Sequence, residues 1–240
     1  MTEQPGELNG KIAIVTGGGR GIGRATALLL AKLGAEVTIC ARDRDQLEGV
    51  ASEHDSIHAV AGDVSDEAFV ERLIGDVVRR CGRLDLLVNN AAVLGRSPIL
   101  ELDTVLWDRV MAVNLRGSYL CSRAAFAQMA RQEPAGGSIV NLGSLSGVRG
   151  PEKFPGLAAY NVSKAGLIAL SDILAVEGKP HGIRVNAVSP GAVETAMLQE
   201  AGHGLKALAV PDDIARTIAF VLSDASRPMT GANIEILSNA

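Results

Sequence analysis

The sequence predicts an α/β fold, a doubly wound parallel sheet of about seven strands with helices on both faces. Short apolar runs alternate with longer segments of helical apolar spacing along the whole chain. The predicted strands are apolar almost throughout, which is typical of a parallel sheet that is covered on both faces. Polar or glycine-rich clusters follow one strand after another, at the sheet edge where open α/β folds bind their ligands.

The apolar runs and helical patterns assign the elements in order. The predicted strands are Lys11–Val15, Glu36–Cys40, Ile57–Ala61, Leu84–Asn89, Ser138–Leu142, Arg184–Val188 and Ile234–Leu237. The predicted helices are Ile22–Leu33, Arg44–Glu53, Glu67–Arg80, Thr104–Gln132, Ala158–Pro180 and Asp212–Ser223. No repeat or linker divides the sequence, so residues 1–240 are expected to form one domain.

Composition excludes several classes of protein. The chain has 240 residues, 47% of them hydrophobic and only 3% aromatic, which suits one domain with an aliphatic core. A net charge of −4 argues against nucleic acid or an anionic membrane as partner. Neither a signal peptide nor an apolar run long enough to span a bilayer is evident, so we expect a cytoplasmic protein. The cysteines Cys40, Cys81 and Cys121 form no CxxC pair and are expected to be reduced thiols.

Tyr160 and Lys164 are the most informative pair of residues. They lie four residues apart, so a helix places both side chains on one face. An ammonium beside a phenol favours the phenolate and lowers the pKa of the tyrosine from its usual value of about 10 toward neutrality. Such a tyrosine is a candidate general acid and base. A tyrosine and a lysine at this spacing also occur on ordinary helix surfaces.

A glycine-rich loop, Thr16–Gly23, connects the first strand to the first helix. Gly17, Gly21 and Gly23 allow a tight turn and a close approach to a pyrophosphate, whose charge the helix N-terminus favours. The GK[ST] motif of P-loop nucleotide hydrolases is missing. The alternative interpretation is a turn without a ligand.

Together with Tyr160 and Lys164, this loop resembles the short-chain dehydrogenase/reductase family from Thr16 to Gly231. The further matching positions are Asp63-Val64, Asn89-Asn90-Ala91, Asn114, Gly143-Ser144, Asn186, Pro190-Gly191 and Thr195. The resemblance implies a Rossmann-type domain and hydride transfer between a nicotinamide cofactor and a carbonyl or alcohol.

The resemblance assigns four catalytic residues. Tyr160 would be the general acid or base, and Lys164 would bind the nicotinamide ribose and lower the pKa of the tyrosine. Ser144 would hydrogen-bond the substrate oxygen. Asn114 would hold a water molecule that links Lys164 to solvent. Alone, each is open to a plainer interpretation: an ordinary helix tyrosine, a loop hydroxyl or a helix kink.

Two arginines favour NADP(H) over NAD(H). Arg20 lies in the glycine loop and Arg42 follows the second strand, where guanidinium groups suit a 2′-phosphate. Asp43 is placed where an acid that selects NAD can occur, although in the family that acid ends the strand itself, and Ala41 occupies this position. Both arginines would otherwise be solvated surface residues.

The family implies further cofactor contacts. Asp63 would contact the adenine, Val64 would pack on its ring, and Thr195 would bind the carboxamide or phosphate region. Asp63 or Ser65 could instead be a helix N-cap, and Thr195 could cap a short helix. The remaining implied contacts are Gly17, Gly19, Gly21, Ile22, Gly23, Asn90, Ala91, Pro190, Gly191 and Val193.

The expected substrate is a small or medium carbonyl compound or alcohol in a mainly apolar pocket. A short lid is predicted at about residues 196–210, with Ala196, Met197, Leu198 and Leu205 on its inner face. Gly202 and Gly204 are its candidate hinges. The four histidines show no metal-binding pattern, so no metal site is expected.

The leading hypothesis is an NADPH-dependent carbonyl reductase. A β-ketoacyl carrier-protein reductase is an alternative, disfavoured because Ser171–Glu177 offers no basic residue for an acidic carrier. An NAD-dependent alcohol or sugar dehydrogenase and a non-catalytic dinucleotide-sensing module are the others. The family also implies a homotetramer or a homodimer, with which the apolar run Leu167–Val176 is compatible.

Overall fold

A seven-stranded parallel sheet forms the centre of the protein, whose computed structural model describes residues 7–151, 153–201, 207 and 209–237. The strands are β1 (Ile12–Thr16), β2 (Glu36–Ala41), β3 (Ile57–Ala61), β4 (Leu86–Asn89), β5 (Gly137–Leu142), β6 (Ile183–Pro190) and β7 (Asn233–Ile236). Their order is β3-β2-β1-β4-β5-β6-β7, and all neighbours are parallel. The order reverses between β1 and β4, which is the switch point where such sheets bind dinucleotides.

Helices connect successive strands and cover both faces. They are α1 (Gly21–Lys32), α2 (Arg44–Ala51), α3 (Glu67–Cys81), α4 (Thr104–Met111), α5 (Ser118–Arg131), α6 (Ala158–Gly178), α7 (Ala196–Ala201) and α8 (Pro211–Leu222). A parallel strand pair requires such a crossover because its connection must return to the starting edge of the sheet.

The hydrophobic core has two layers because successive side chains of a strand point to opposite faces. Ala13 and Val15 of β1 pack with residues of α1, α2 and α8 on one face. Ile14 packs with residues of α3, α5 and α6 on the other. Nearly all of these side chains are fully buried, which confirms the doubly wound architecture that the apolar strands predict.

The element boundaries agree with the sequence prediction to within two residues, with one change inside the predicted helix Thr104–Gln132. That segment is interrupted by a π-helical turn, Ala112–Gly117, between α4 and α5. A π-turn inserts an extra residue into the helical repeat and frequently marks a functional site. The apolar periodicity continues through the turn, so the pattern could not show it.

No uninterrupted apolar run of the sequence is long enough to span a bilayer, but one helix of the structure passes a test of length and mean composition. The continuous helix Ala158–His181 is long and apolar enough to do so on length and composition alone. Scattered serine, glycine and asparagine residues break its apolar run in the sequence without making it polar on average. In the fold this helix packs on β6 and buries Tyr160 and Lys164, while much of the rest of it is exposed.

Arg184, near the start of β6, binds the C-terminal end of α8. Its guanidinium donates to the carbonyl oxygens of Val221, Leu222 and Ser223 at 3.0–3.1 Å, and to the hydroxyl of Ser226 at 3.0 Å. Burial lowers the pKa of the Arg184 guanidinium below its usual value. The last carbonyls of a helix have no partner within the helix, so this side chain satisfies groups that would otherwise be orphaned.

We predict that Arg184→Ala lowers the free energy of unfolding by about 2–3 kcal/mol, because several charge-assisted hydrogen bonds are lost together. Arg184→Lys retains the charge but not the forked geometry and should recover only part of that loss. Urea unfolding followed by circular dichroism measures both. Arg131→Ala, which removes a single hydrogen bond to Gln128 on α5, is the matched control. Equal effects of Arg184→Ala and Arg131→Ala would contradict the prediction.

Candidate active site

Tyr160 and Lys164 lie side by side on the first turns of α6, at the carboxyl end of β5. Both are buried, with exposures of 9% and 2%. The Lys164 Nζ donates to the carbonyl oxygen of Leu142 at 2.6 Å and lies 5.7 Å from the centre of the Tyr160 ring. The predicted pair on one helix face is therefore present in the structure.

Burial shifts the pKa of both side chains, and one shift differs from the expectation. It lowers the pKa of the Lys164 ammonium from 10.5 to about 8. Burial also raises the pKa of Tyr160 above its usual value, and hydrogen bonding with Ser144 acts in the opposite direction. The predicted net lowering of the Tyr160 pKa is therefore wrong: desolvation is the largest effect, and the opposing contribution comes from Ser144. In the polypeptide alone, Tyr160 carries its proton at neutral pH.

Ser144 stands at the start of a 3₁₀ turn, Leu145–Gly147, that follows β5. Its hydroxyl oxygen accepts a hydrogen bond from the Ser146 amide at 3.1 Å. Gly147 lets this turn lie directly against α6, since a Cβ there would come within 2.6 Å of the Ala165 nitrogen. The Lys153 ammonium donates to the carbonyls of Leu145 and Ser146 at 3.1 and 2.8 Å, and also to that of Val148. The loop that carries Ser144 is held from both sides.

Asn114 lies within the π-turn and is fully buried. Its Oδ1 accepts from the Val93 amide at 2.8 Å, and its Nδ2 donates to the Val93 carbonyl at 2.9 Å and to Ser163 Oγ at 3.1 Å. The Ser163 hydroxyl in turn donates to the Tyr160 carbonyl at 2.7 Å. Asn114 thus joins the loop after β4 to α6, the helix of Tyr160 and Lys164. Its predicted contact with a water molecule stays a prediction.

The glycine loop after β1 is fixed by Asn90. The Asn90 amide nitrogen Nδ2 donates to the carbonyls of Thr16 and Gly17 at 2.8 and 3.0 Å. Gly23 passes so close that a Cβ would lie 2.2 Å from the Gly17 oxygen and 2.4 Å from Asn90 Nδ2. The Thr16 hydroxyl oxygen accepts from the amides of Asn90 and Ala91, both at 3.0 Å. These contacts join β1 to β4 at the switch point.

The first turn of α1, which contains Ile22, is suited to an anion. Helices α2, α3 and α4 begin with an aspartate whose carboxylate accepts a backbone N–H. At α1 the N-cap is Arg20, which makes no capping hydrogen bond, and the first turn contains no acidic residue. Its amide groups and positive dipole end therefore remain for a ligand such as a pyrophosphate. Helix α6 also begins without a capping side chain or a first-turn acid, so it is the position of α1 directly after the glycine loop that supports the binding interpretation.

The arginines that favour NADP(H) are at the surface. Arg42 is exposed and directly follows Ala41, the last residue of β2. Arg20 forms a long ion pair with Glu200, 3.7 Å between Nη2 and Oε1, in which both side chains are more than half exposed. Asp43 caps α2, where its carboxylate accepts from the Gln46 amide at 3.1 Å. The carboxylate that could select NAD is therefore engaged in the fold.

Asp63 is held by neighbours rather than acting as a helix cap. It accepts from the amide and hydroxyl of Ser65 at 3.0 and 2.7 Å and from Arg109 at 3.1 Å. Although burial raises the pKa of Asp63, these hydrogen bonds outweigh it and hold that pKa below its usual value. The alternative that Asp63 or Ser65 caps α3 is wrong, because Asp66 is the N-cap. Val64 is buried beside Gly117 of the π-turn.

The segment after β6 lies at the same edge of the sheet, where the carboxyl ends of the strands meet. Pro190 ends the strand, and the Gly191 amide donates to the Ile236 carbonyl at 3.1 Å. Val193 is buried and pairs with Ala209 in an isolated bridge. The Thr195 hydroxyl oxygen accepts from the Leu198 amide at 3.3 Å at the start of α7, so the capping alternative for Thr195 is present in the structure. Contact of these residues with a cofactor, like that of Gly19, Asn90 and Ala91, stays a prediction.

A small apolar cluster surrounds Tyr160. It consists of Leu94, Leu157, Tyr160 and Ala201, with Phe154 and Met197 packed against them. Met197 and Ala201 belong to α7, the first part of the predicted lid. The candidate hinges Gly202 and Gly204, together with Leu205, lie outside the described residues. The wall beside Tyr160 is apolar, as expected.

Metal chemistry finds no support in the described part of the chain. Residues 7–151, 153–201, 207 and 209–237 contain no group of three or more histidine, cysteine or acidic residues placed to hold a metal ion. Cys40 and Cys121 are buried free thiols, and burial raises the pKa of Cys40 to about 12. They are inert core residues rather than ligands.

Sequence reasoning missed four residues that shape the site: Arg96, Arg109, Lys153 and Ser163. Each acts through a tertiary hydrogen bond to a segment that is distant in the chain or to a loop carbonyl. The positions of these residues in the sequence form no recognisable motif. For Ser163 alone a weak signal existed, namely a small polar residue between Tyr160 and Lys164 on a helix of largely apolar sequence.

Comparison with known proteins agrees with this geometry. The family model for the short chain dehydrogenase matches residues 11–206. A short chain dehydrogenase/reductase of Aspergillus oryzae is 38% identical over 98% of this chain and 96% of that protein. A hexahydro-indene-carboxyl-CoA reductase of Mycobacterium tuberculosis is 36% identical over 96% of this chain and 93% of its own length.

The fold agrees equally well with a solved structure. The crystal structure of 3-ketoacyl-(acyl-carrier-protein) reductase from Brucella melitensis, complexed with NADH, superposes with a TM-score of 0.88. The two are 33% identical, and the match covers 95% of this chain and 97% of the other. The chain belongs to the short-chain dehydrogenase/reductase family of NAD(P)-dependent oxidoreductases.

Proposed function

We propose that this oxidoreductase reduces a small or medium carbonyl compound with NADPH at Tyr160. The observation that carries the proposal is the buried pair Tyr160–Lys164, with Ser144 close enough to the phenol to lower its pKa against the effect of burial. A neutral phenol next to a hydroxyl offers two hydrogen bonds to one substrate oxygen. The apolar cluster around Tyr160 supplies a surface for the rest of the substrate.

The roles of the side chains follow from their protonation states. Bound NADPH supplies the hydride. The raised pKa of Tyr160 keeps its proton available for the carbonyl oxygen, which gains negative charge as the carbon is reduced. The Ser144 hydroxyl donates a hydrogen bond to the same oxygen. The Lys164 ammonium, with a pKa of about 8, stabilises the phenolate that remains.

NADP(H) is proposed over NAD(H) because the position after β2 is cationic. Arg42 is exposed at the strand end, and Asp43 is committed to capping α2. A 2′-phosphate would lie beside a guanidinium, whereas a ribose diol would lack a free carboxylate acceptor. The NADH bound to the relative from Brucella melitensis keeps NAD(H) as the alternative outcome of the test.

The carrier-protein alternative is compatible with the fold and is favoured by the similarity to the reductase from Brucella melitensis, but the charge of α6 speaks against it. In the part of α6 that follows the catalytic lysine, the charged residues are Asp172 and Glu177. A surface with that charge repels the acidic carrier. Comparing turnover of one β-ketoacyl group on coenzyme A and on the carrier protein separates the two functions.

We further propose that a second copy of the chain covers the groove between α4, α5 and α6. This groove has a volume of about 690 Å³ and a largely apolar lining. Its lining residues are Asp108, Met111, Ala112, Leu115, Arg116, Tyr119, Gly166, Ala169, Leu170 and Ile173. Ile173 is half exposed, and Val105, Val162 and Val176 extend the apolar surface.

We predict that wild-type protein oxidises NADPH with aliphatic and aromatic ketones, and that Tyr160→Phe loses about 100- to 10,000-fold in kcat, as expected for removal of a general acid. NADPH absorbance at 340 nm measures the rate. A fluorescence titration with NADPH is the control: if the variant still binds NADPH, its fold and cofactor site are intact. Full activity of Tyr160→Phe would contradict the assignment of Tyr160 as the general acid.

The pH profile of the same assay provides a second check. The Lys164 ammonium is present below its pKa of about 8 and is lost as the pH rises through that value. Carbonyl reduction should therefore be constant between about pH 6 and 7 and fall above about pH 8. A kcat for reduction that climbs steadily to pH 10 is incompatible with this role.

Cofactor choice is predicted to depend on Arg42. Wild-type protein should bind NADPH at least about tenfold more tightly than NADH, a difference of about 1.4 kcal/mol, and Arg42→Ala should lose most of it. Fluorescence titration measures the four dissociation constants. Arg44→Ala, two residues further on and paired with Glu48 on α2, is the matched control and should change neither. Equal or tighter binding of NADH by wild type would reject the preference.

Self-association is predicted to be sensitive to Ile173. Ile173→Glu places a charge in the apolar groove and should shift the protein toward monomer, because a desolvated carboxylate opposes association. Light scattering coupled to size exclusion measures the mass. Val210→Glu changes an exposed valine at the start of α8 in the same way and should leave the mass unaltered. A monomeric wild type would refute the interface.

A further inference from the structure

Three segments frame the substrate side of Tyr160: the loop between β4 and α4, the loop between the 3₁₀ turn and α6, and helix α7. Each contributes to the apolar cluster, through Leu94, through Phe154 and Leu157, and through Met197 and Ala201. The position of α7 relative to the other two segments therefore determines the space that a substrate can occupy beside the phenol.

One arginine, which belongs to the first of these segments, contacts the other two. Arg96 belongs to the loop after β4, and its Nη1 donates to the carbonyl oxygen of Ala201, the last residue of α7, at 2.7 Å. Its aliphatic stem lies against Gly156, where a Cβ would stand 3.1 Å from Arg96 Cγ. The Ser97 amide donates to the Gly156 carbonyl at 2.9 Å. Arg96 is thus the point at which the three segments meet.

The two ends of α7 are held by different contacts, and the hydrogen bond from Arg96 holds the C-terminal end. The start of the helix is fixed by Thr195, which accepts from the amide of Leu198. The other charged contact of α7, Arg20 with Glu200, is 3.7 Å long and joins two side chains that are more than half exposed. Such a pair contributes little to stability. Arg96 is also an exposed residue, but its charged group donates directly to the carbonyl oxygen of the last residue of α7 at 2.7 Å, and a cation is favourable at the C-terminal end of a helix.

We propose that Arg96 is a positioning residue that sets substrate selectivity by holding α7 against the apolar cluster of Tyr160. The proposal rests on the carbonyl reductase function proposed above. With Arg96 in place, Met197 and Ala201 narrow the pocket and favour compact carbonyl compounds. Without it, the end of α7 moves outward, the pocket admits bulkier carbonyl compounds, and compact ones lose their apolar contacts.

Hydrogen exchange tests the structural part without any turnover. The backbone amides of 196–201 should exchange about tenfold faster in Arg96→Met than in wild type, because a local contact that opposes opening is lost. Methionine retains an apolar stem against Gly156 but cannot bond the carbonyl. Arg96→Lys restores one donor and should exchange at an intermediate rate. Arg72→Met, the same change on the exposed surface of α3, is the control and should match wild type.

Steady-state kinetics tests the selectivity part. The ratio of kcat/KM for cyclohexanone to that for benzophenone should fall about tenfold in Arg96→Met, mainly through KM, while kcat for cyclohexanone and the dissociation constant of NADPH change little. Arg96→Lys should recover part of the ratio. A merely structural loss would reduce both substrates equally and leave the ratio constant.

The two measurements distinguish the possible failures. If the wild-type protein reduces carbonyl compounds, but Arg96→Met leaves either the hydrogen exchange of α7 or the substrate ratio as it was, the selectivity role is overturned. The carbonyl reductase function then still stands. Faster exchange in a protein that turns over no carbonyl compound overturns the proposed function, and the selectivity role with it.

Discussion

A buried ammonium group at the end of the fifth strand is the constraint on which the rest of the site depends. Removing a charge from water is costly, and Lys164 is almost completely enclosed. Its hydrogen bond to the Leu142 carbonyl offsets part of that cost and is available only if α6 lies against the last residue of β5. Because Tyr160 is one helical turn away, the same contact fixes the position of the phenol. The lowered pKa of the lysine is a consequence of this arrangement.

The other functional groups are brought to that point by the topology of the sheet. In a parallel sheet every strand delivers its following loop to the same edge, so side chains far apart in sequence converge without long loops. The contacts of Thr16 and Asn90 join the first and fourth strands across the switch point. Asn114 joins the loop after β4 to α6 through Ser163. The catalytic helix, the glycine loop and the π-turn are therefore linked in one hydrogen-bonded frame.

Much of this could be predicted from the sequence, because it depends on local patterns. Apolar strands, helical spacing and glycine clusters are properties of contiguous residues, and they sufficed for the sheet, the helices and the position of Tyr160 and Lys164. The π-turn around Asn114 could not be predicted, since the apolar periodicity runs through it. The pKa of Tyr160 was predicted in the wrong direction because the sequence shows a neighbouring charge but not the extent of desolvation. Contacts such as that of Arg96 with Ala201 join residues more than a hundred positions apart and follow from packing alone.

The hydrogen bonds from Asn90 to the carbonyls of Thr16 and Gly17 have a consequence for how a cofactor binds. They hold the glycine loop in a single conformation as part of the folded domain. The conformational entropy of that loop is consequently lost when the chain folds and does not oppose association with a dinucleotide.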